Sequence, residues 1–352
     1  NRWIRNGWWR WPRNTLIWNL SSQLTFFLRG INFHIVLYQG INNLNPRIAI
    51  VGSGAVGSYY GAKLAISGAD VHFLMRADLE HAQQFGLRIE SSKAGVEHLE
   101  KVNAYGSTAD IGYCDLVIIA LKATDNHSLE KILPPLLKED TIIMTLQNGL
   151  GNEEFLAKRF GGNRVIGGLC FVCLNRPSPG VVYHIAQGRI TCGEFSGLPV
   201  PRTHDVGLIF KRAGIPFLVA ESLPKERWRK LVWNIPFNGL AIVGGGVDTA
   251  TVLETKNLYC LAKELMSEVM GVALALGYEM PNSLIEHNLN ETKKMGSYNP
   301  SSMIDFVMGN PVEVEAIWGE AVRIGLEAGS DIVRMECLYK LIRIAIDRRD
   351  NP

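Results

Sequence analysis

Two groups of residues in this chain have spacings that chemistry can use. Lys230, Asn234 and Asn238 recur at i, i+4 and i+8 within Glu226-Arg-Trp-Arg-Lys-Leu-Val-Trp-Asn-Ile-Pro-Phe-Asn-Gly-Leu. That repeat sets side chains on one face of a helix. Leu231, Val232, Trp233, Ile235, Phe237 and Leu240 fill the remainder, so the segment is an apolar helix with one polar line. An ammonium and two amides are costly to bury without partners, and a bound polar ligand would supply them. The plain alternative is a stripe facing water. Pro236 removes one backbone donor and predicts a kink.

The second group is Gly52-Ser-Gly-Ala-Val-Gly57. It directly follows the β-branched run Arg47–Val51 and opens a helical pattern at Val56–Ser67, the context a dinucleotide-binding turn requires. Gly52 allows the tight turn, Gly54 lets backbone approach a pyrophosphate, and Gly57 lets helix and strand pack closely. Gly52, Ser53, Gly54, Ala55, Val56 and Gly57 would form the cradle, with the helix N-terminus facing the phosphates. The next strand, Val71–Met75, ends at Arg76 rather than at an acid. A guanidinium suits a ribose 2′-phosphate and offers nothing specific to a 2′-hydroxyl, which points to NADP unless Arg76 is a solvated surface residue.

Two later strands also end in polar groups: Ile118-Ile-Ala-Leu-Lys122, and Met144-Thr-Leu-Gln147-Asn148-Gly149. Ligands of open parallel sheets bind beyond such ends, so Lys122 could meet an anion and Asn148 could orient a nicotinamide or a keto acid. Glu313 and Glu315 head another helix, where acids are favoured for structural reasons alone. Tyr298-Asn299-Pro-Ser301-Ser302-Met303 offers an amide and hydroxyls that would equally serve as helix caps.

The elements around these residues fall into two series. Strands are expected at Arg47–Val51, Val71–Met75, Leu116–Leu121, Thr141–Leu146, Val165–Cys173, Gly180–His184, Arg189–Cys192 and Pro216–Ala220. Helices are expected between several of them, including Asn126–Leu137 and 203–213. Alternation of this kind predicts a parallel sheet covered on both faces. From Glu221 onward strand signals nearly vanish, and helical periodicity covers 224–242, 253–276, 282–294, 312–328 and 331–348. The expected fold class is therefore α/β: a Rossmann-type dinucleotide-binding domain over 47–220, then an all-helical domain over 221–348.

Residues 1–46 stand apart. They hold five arginines, no acid and five of the eight tryptophans. They read as an irregular leader outside the fold, either a transit segment or translated upstream sequence. A net charge of +2 gives no general attraction to nucleic acid or an anionic membrane, and no run is apolar enough to span a bilayer. The six dispersed cysteines do not form a disulfide framework, and with no clean signal peptide the expected compartment is the cytoplasm. Cys170 and Cys173 lie three apart on a predicted strand, pointing to opposite faces, which is poor placement for a redox pair or a metal. No metal site is expected.

Taken in order, Gly52–Gly57, Arg76, Leu121-Lys122-Ala123, Gln147-Asn148-Gly149, Arg229-Lys230-Leu231 with Asn234 and Asn238, Ser301-Ser302-Met303 and Glu313-Val-Glu315 resemble the ketopantoate reductase (2-dehydropantoate 2-reductase) family. The resemblance covers residues 47–348. It implies an active site between the two domains and NADPH-dependent reduction of 2-ketopantoate to pantoate, a step toward pantothenate and coenzyme A. It further implies that Lys230 is the general acid and that Glu313 binds the substrate's hydroxyl. Asn234, Asn238, Ser302 and Asn299 match substrate-contacting positions, while Lys122 and Asn148 match positions near nicotinamide and substrate. The spacing from Ser302 to Glu313 is one residue shorter than the family pattern, which leaves Glu315 as the alternative acid. Gly239 also stands where many members have proline. The implied partner is a small keto acid, with a homodimer as the possible assembly. Two other readings stay open: a reductase of the same fold acting on a different 2-keto acid, and a non-catalytic NADPH-binding sensor.

Overall fold

The computed structural model describes residues 45–91 and 94–351, together with the strands β1 (Gln23–Leu28) and β2 (Ile31–Val36). These two strands pair antiparallel from Gln23↔Val36 to Leu28↔Ile31. The leader, expected to be irregular, is therefore a hairpin over this part, because its β-branched and aromatic residues suit a ladder. Its arginine- and tryptophan-rich start lies outside the described residues. Residues 1–42 and 43–352 are separate compact units, and the second carries every element from β3 onward.

The ten strands of this second unit are β3 (Arg47–Val51), β4 (Asp70–Leu74), β5 (Leu87–Ser91), β6 (Gly95–Leu99), β7 (Asn103–Tyr105), β8 (Cys114–Ile119), β9 (Leu137–Thr145), β10 (Val165–Ser178), β11 (Val181–Glu194) and β12 (Phe217–Val219). They form one sheet in the order β6-β5-β11-β10-β9-β8-β3-β4-β7, with β12 beside β11. The centre, from β10 through β9, β8 and β3 to β4, is parallel throughout, whereas β10–β11 and β5–β6 are antiparallel hairpins. Ile48, Ala49, Ile50 and Val51 are fully buried, as expected for a strand covered on both faces. Helix α1 (Ala55–Ile66) packs so closely that a Cβ on Gly61 would lie 2.4 Å from the Phe73 ring.

α2 (Leu79–Phe85), α3 (Leu129–Ile132), α4 (Asn152–Phe160) and α5 (Pro201–Arg212) complete the sheet-bearing part. The helix expected over 126–137 is instead a 3₁₀ stretch (Ala123–Ser128), the single turn α3 and a second 3₁₀ turn (Pro134–Leu136). Adjacent prolines 134 and 135 remove two helical donors. The hairpin β10–β11 is longer than expected, with 14 residues in each strand.

The rest is helical: α6 (Leu223–Val243), α7 (Thr249–Glu254), α8 (Lys256–Ala275), α9 (Leu284–Met295), α10 (Ser301–Val307), a π turn at Glu315–Gly319, α11 (Glu320–Glu327) and α12 (Val333–Asp350). The single helix expected over 253–276 is broken at Thr255, whose backbone is extended. α6 runs through the middle, its Trp228, Leu231, Ile235 and Leu240 packed in one core with Leu265, Met266, Val269 and Trp318. It remains one helix through Pro236, and the Trp318 indole donates to the adjacent Ile235 carbonyl at 3.0 Å. No helix among the described residues is long and apolar enough to cross a membrane.

Candidate active site

A cleft of about 1680 Å³ opens where the carboxyl ends of β3, β4, β8 and β9 face α6, α9 and α10. That exceeds an ordinary small-molecule pocket and leaves room for a dinucleotide beside a substrate. Gly52 turns out of β3 with φ +100°, and a Cβ there would sit 2.4 Å from the Leu121 amide nitrogen. A Cβ on Gly57 would lie 2.0 Å from the Gly52 carbonyl oxygen, whereas one on Gly54 would meet nothing within 4 Å. The first two glycines are thus required by the protein's own packing, and the third keeps the cleft open. Gly57 lies behind the cleft wall; Gly52 to Val56 line it. α1 begins without a side-chain cap and without an acid in its first turn, so its N-terminal N–H groups are left for an anion. Ser53 Oγ donates to the Leu74 carbonyl at 2.9 Å and fixes the loop to the end of β4. Arg76 stands just beyond, 82% exposed, with Nη2 3.3 Å from Asp125 Oδ2. These residues fit a dinucleotide with a 2′-phosphate.

Charged and amide groups from both sides of the cleft meet within it. Lys230 Nζ donates to Asn148 Oδ1 at 2.8 Å. Asn148 Nδ2 donates to Glu313 Oε2 at 3.5 Å, and the Ala123 amide donates to Glu313 Oε1 at 2.9 Å. An ammonium, an amide and a carboxylate are therefore linked across the cleft. Burial pushes the Lys230 ammonium down to about 8, with the Arg227 charge adding to the effect and Glu313 opposing it. Burial raises Glu313, while the bonds from Ala123 and Asn148 and the charge of Lys122 pull it back.

Glu315 points elsewhere. It accepts from Arg323 Nη1 at 2.9 Å and from the Tyr339 hydroxyl at 2.7 Å, with its side chain 59% exposed. Of the two acids, only Glu313 lines the cleft. Asn234 and Asn238 line it from α6. Asn238 Nδ2 donates to the Asn234 carbonyl at 3.2 Å, and its Oδ1 accepts the Ser302 amide at 3.0 Å, capping α10. Ser302 itself is buried behind Ser301, which lines the cleft in its place, and Asn299 is exposed outside it, ahead of the extended Pro300. Lys122 reaches across the cleft, 2.6 Å from Asp305 Oδ1 and 3.1 Å from the Pro311 carbonyl.

Known proteins share this organisation. The family model described as ketopantoate reductase PanE/ApbA matches residues 48–197, and that of its C-terminal part matches 222–345. The chain is 42% identical over 302 residues to a 2-dehydropantoate 2-reductase of Nostoc sp., covering 84% of this chain and 94% of the relative. The crystal structure of 2-dehydropantoate 2-reductase from Geobacter metallireducens superposes with a TM-score of 0.83 at 41% identity, covering 85% and 99% of the two chains. That from Methylococcus capsulatus gives 0.80 at 33% identity, covering 87% and 98%. The chain belongs to the ketopantoate reductase family. It is accordingly an oxidoreductase of a family that uses NADPH, with the Rossmann-type and helical parts expected of it. The sensor reading falls away.

Residues not foreseen also shape this family member's cleft. Arg227 is buried on α6; its Nη1 donates to the Gln147 carbonyl at 2.8 Å and its Nη2 pairs with buried Glu153. It anchors the segment that carries Asn148. Leu150 N–H donates to the Ala316 carbonyl at 2.8 Å, and Gly149 packs against the same oxygen. Arg176 Nη1 pairs with buried Asp78 at 2.8 Å beside the glycine loop. Cys170 and Cys173 are both buried on β10, and burial pushes the Cys170 thiol up to about 11. A thiol held so far from ionisation is inert at neutral pH.

Proposed function

We propose that this protein reduces 2-dehydropantoate to pantoate with NADPH, a step toward pantothenate and coenzyme A, with Lys230 as general acid. The observation that carries the reading is the Lys230–Asn148–Glu313 chain lining the same cleft as the glycine loop. The names of the Nostoc and Geobacter relatives support the substrate.

Gly52 to Val56 and the start of α1 hold the pyrophosphate, and Arg76 takes the 2′-phosphate. Bound NADPH supplies a hydride for the keto carbon. Lys230 faces the oxygen on which negative charge then develops, stabilises it and donates the proton that completes the alcohol. Asn148 accepts from the same ammonium and so fixes its direction. A lysine near 8 is still mostly protonated at neutral pH and gives up its proton more readily than an ordinary one. Glu313 accepts from the substrate's hydroxyl, and Asn234 and Asn238 add amide contacts along the α6 line. Asn299 and Ser302 have weaker claims, given where they lie.

We also keep as proposals the division into a cofactor domain (47–220) and a catalytic domain (221–348), a cytoplasmic setting that suits the six unpaired cysteines, and a homodimer. The test is consumption of NADPH by the purified protein with ketopantoate and a panel of other 2-keto acids. Ketopantoate should give the highest kcat/KM. A different 2-keto acid preferred by about tenfold, equivalent to about 1.4 kcal/mol in transition-state binding, refutes the substrate assignment.

A further inference from the structure

Phe171 on β10 and Arg189 on β11 are directly opposed in the antiparallel ladder, so their side chains share one face of the hairpin. The Arg189 guanidinium carbon lies 4.6 Å from the centroid of the Phe171 ring, and Lys230 Nζ lies 5.8 Å from that centroid. Two cations thus share one aromatic ring, and all three residues line the cleft. Other arginines near the cleft face carboxylates: Arg76 meets Asp125, Arg176 meets Asp78 and Arg227 meets Glu153. Arg189 makes no ion pair and no side-chain hydrogen bond among the described residues; its Nε is shut off from solvent without an acceptor, as are those of Arg164 and Arg227, but those two are bonded through their other guanidinium nitrogens.

A desolvated guanidinium N–H without an acceptor is uncommon in a folded protein, and an anion entering the cleft would satisfy it. The anion must fit beside a lysine that faces a ketone. In a 2-keto acid the carboxylate is bonded directly to the keto carbon, so a molecule whose carbonyl oxygen rests on Lys230 carries its carboxylate one bond away. A planar carboxylate matches the side-on fork of Nε and Nη, which lysine cannot imitate.

We propose that Arg189 binds the substrate's carboxylate, so that a 2-keto acid is held at two points, Lys230 on the ketone and Arg189 on the acid. This assignment rests on the 2-keto acid reading above. It makes Arg189 a determinant of specificity for acids over neutral ketones.

The experiment compares wild type, Arg189→Met and Arg189→Lys on ketopantoate and on a neutral methyl ester of a 2-keto acid, with binding of pantoate to the NADP⁺-loaded protein measured by calorimetry. Losing a charge-assisted bond should raise KM for the acid, and Kd for pantoate, about tenfold or more in Arg189→Met. Turnover of the ester and KM for NADPH should stay near wild type. Arg189→Lys, which keeps the charge but not the fork, should fall between, and it guards against a folding defect in the methionine variant. Equal losses on acid and ester, unchanged pantoate binding, or a rise confined to KM for NADPH would overturn the assignment; the last would place a cofactor phosphate there instead. Wild-type protein that reduces the ester but no 2-keto acid, or neither, overturns the underlying reading and this one with it.

Discussion

Replacing Lys230 by methionine should make the protein more stable and nearly inactive. The ammonium sits at about 8 instead of 10.5 because it is buried. At about 1.4 kcal/mol per unit, holding it charged in the folded state costs about 3 kcal/mol. The sign follows from the lowered folded value: the penalty is complete below pH 8 and fades as pH rises toward 10.5. Methionine keeps most of the stem and removes the charge, but it leaves Asn148 Oδ1 without its donor, which returns about 1–2 kcal/mol. A net gain of about 1–2 kcal/mol at neutral pH corresponds to a rise of a few degrees in Tm, shrinking at alkaline pH. Activity should move the other way, with kcat falling about 10²–10⁴-fold through loss of the acid. Wild-type kcat/KM should decline about tenfold per pH unit above 8, and that limb should be absent from the residual activity of Lys230→Met. Thermal melts and pH–rate profiles of the two proteins test both halves. A variant that melts several degrees lower and retains turnover would show that Lys230 is a structural cation, and the mechanism would fail.

Three further outcomes are expected. Arg76→Ala should raise KM for NADPH about tenfold or more and leave KM for NADH little changed; equal effects would mean that Arg76 does not read a 2′-phosphate. Gly54→Ala should fold with an unchanged Tm, since its Cβ meets nothing, yet bind NADPH measurably more weakly; cofactor titration beside a melt separates the two. Glu313→Gln should raise KM for ketopantoate about tenfold, whereas Glu315→Gln, which loosens contacts to Arg323 and Tyr339, should leave kcat/KM within about twofold of wild type, an energy of only about 0.4 kcal/mol. Steady-state kinetics that rank these two acids the other way would reverse their roles.

The parts of the site that could be read in the sequence were those built from local spacing. The glycine turn is a strand-to-helix junction, and the Lys230–Asn234–Asn238 line is a property of one helix. Arg189, Arg176 and Arg227 were not legible because each matters through a partner far away in the chain: Phe171, Asp78 and Glu153. Long-range hairpin register has no local signature. The same holds for Glu313 against Glu315, two acids in one short segment, which only tertiary packing separates into a cleft carboxylate and a surface ion pair. The helix expected over 126–137 shows the opposite case, an apolar pattern overruled by Pro134 and Pro135.

The contact between Gly149 and Ala316 welds two stretches of main chain that each adjoin a reactive group. A Cβ at 149 would come within 2.2 Å of the Ala316 oxygen, to which the Leu150 amide is already bonded. The separation of Asn148 from Glu313 is therefore gauged in part by peptide groups, beside the Arg227 side chain that holds the Gln147 carbonyl. A single methyl group at 149 would prise the amide from the acid and silence the enzyme with every chemical group still present.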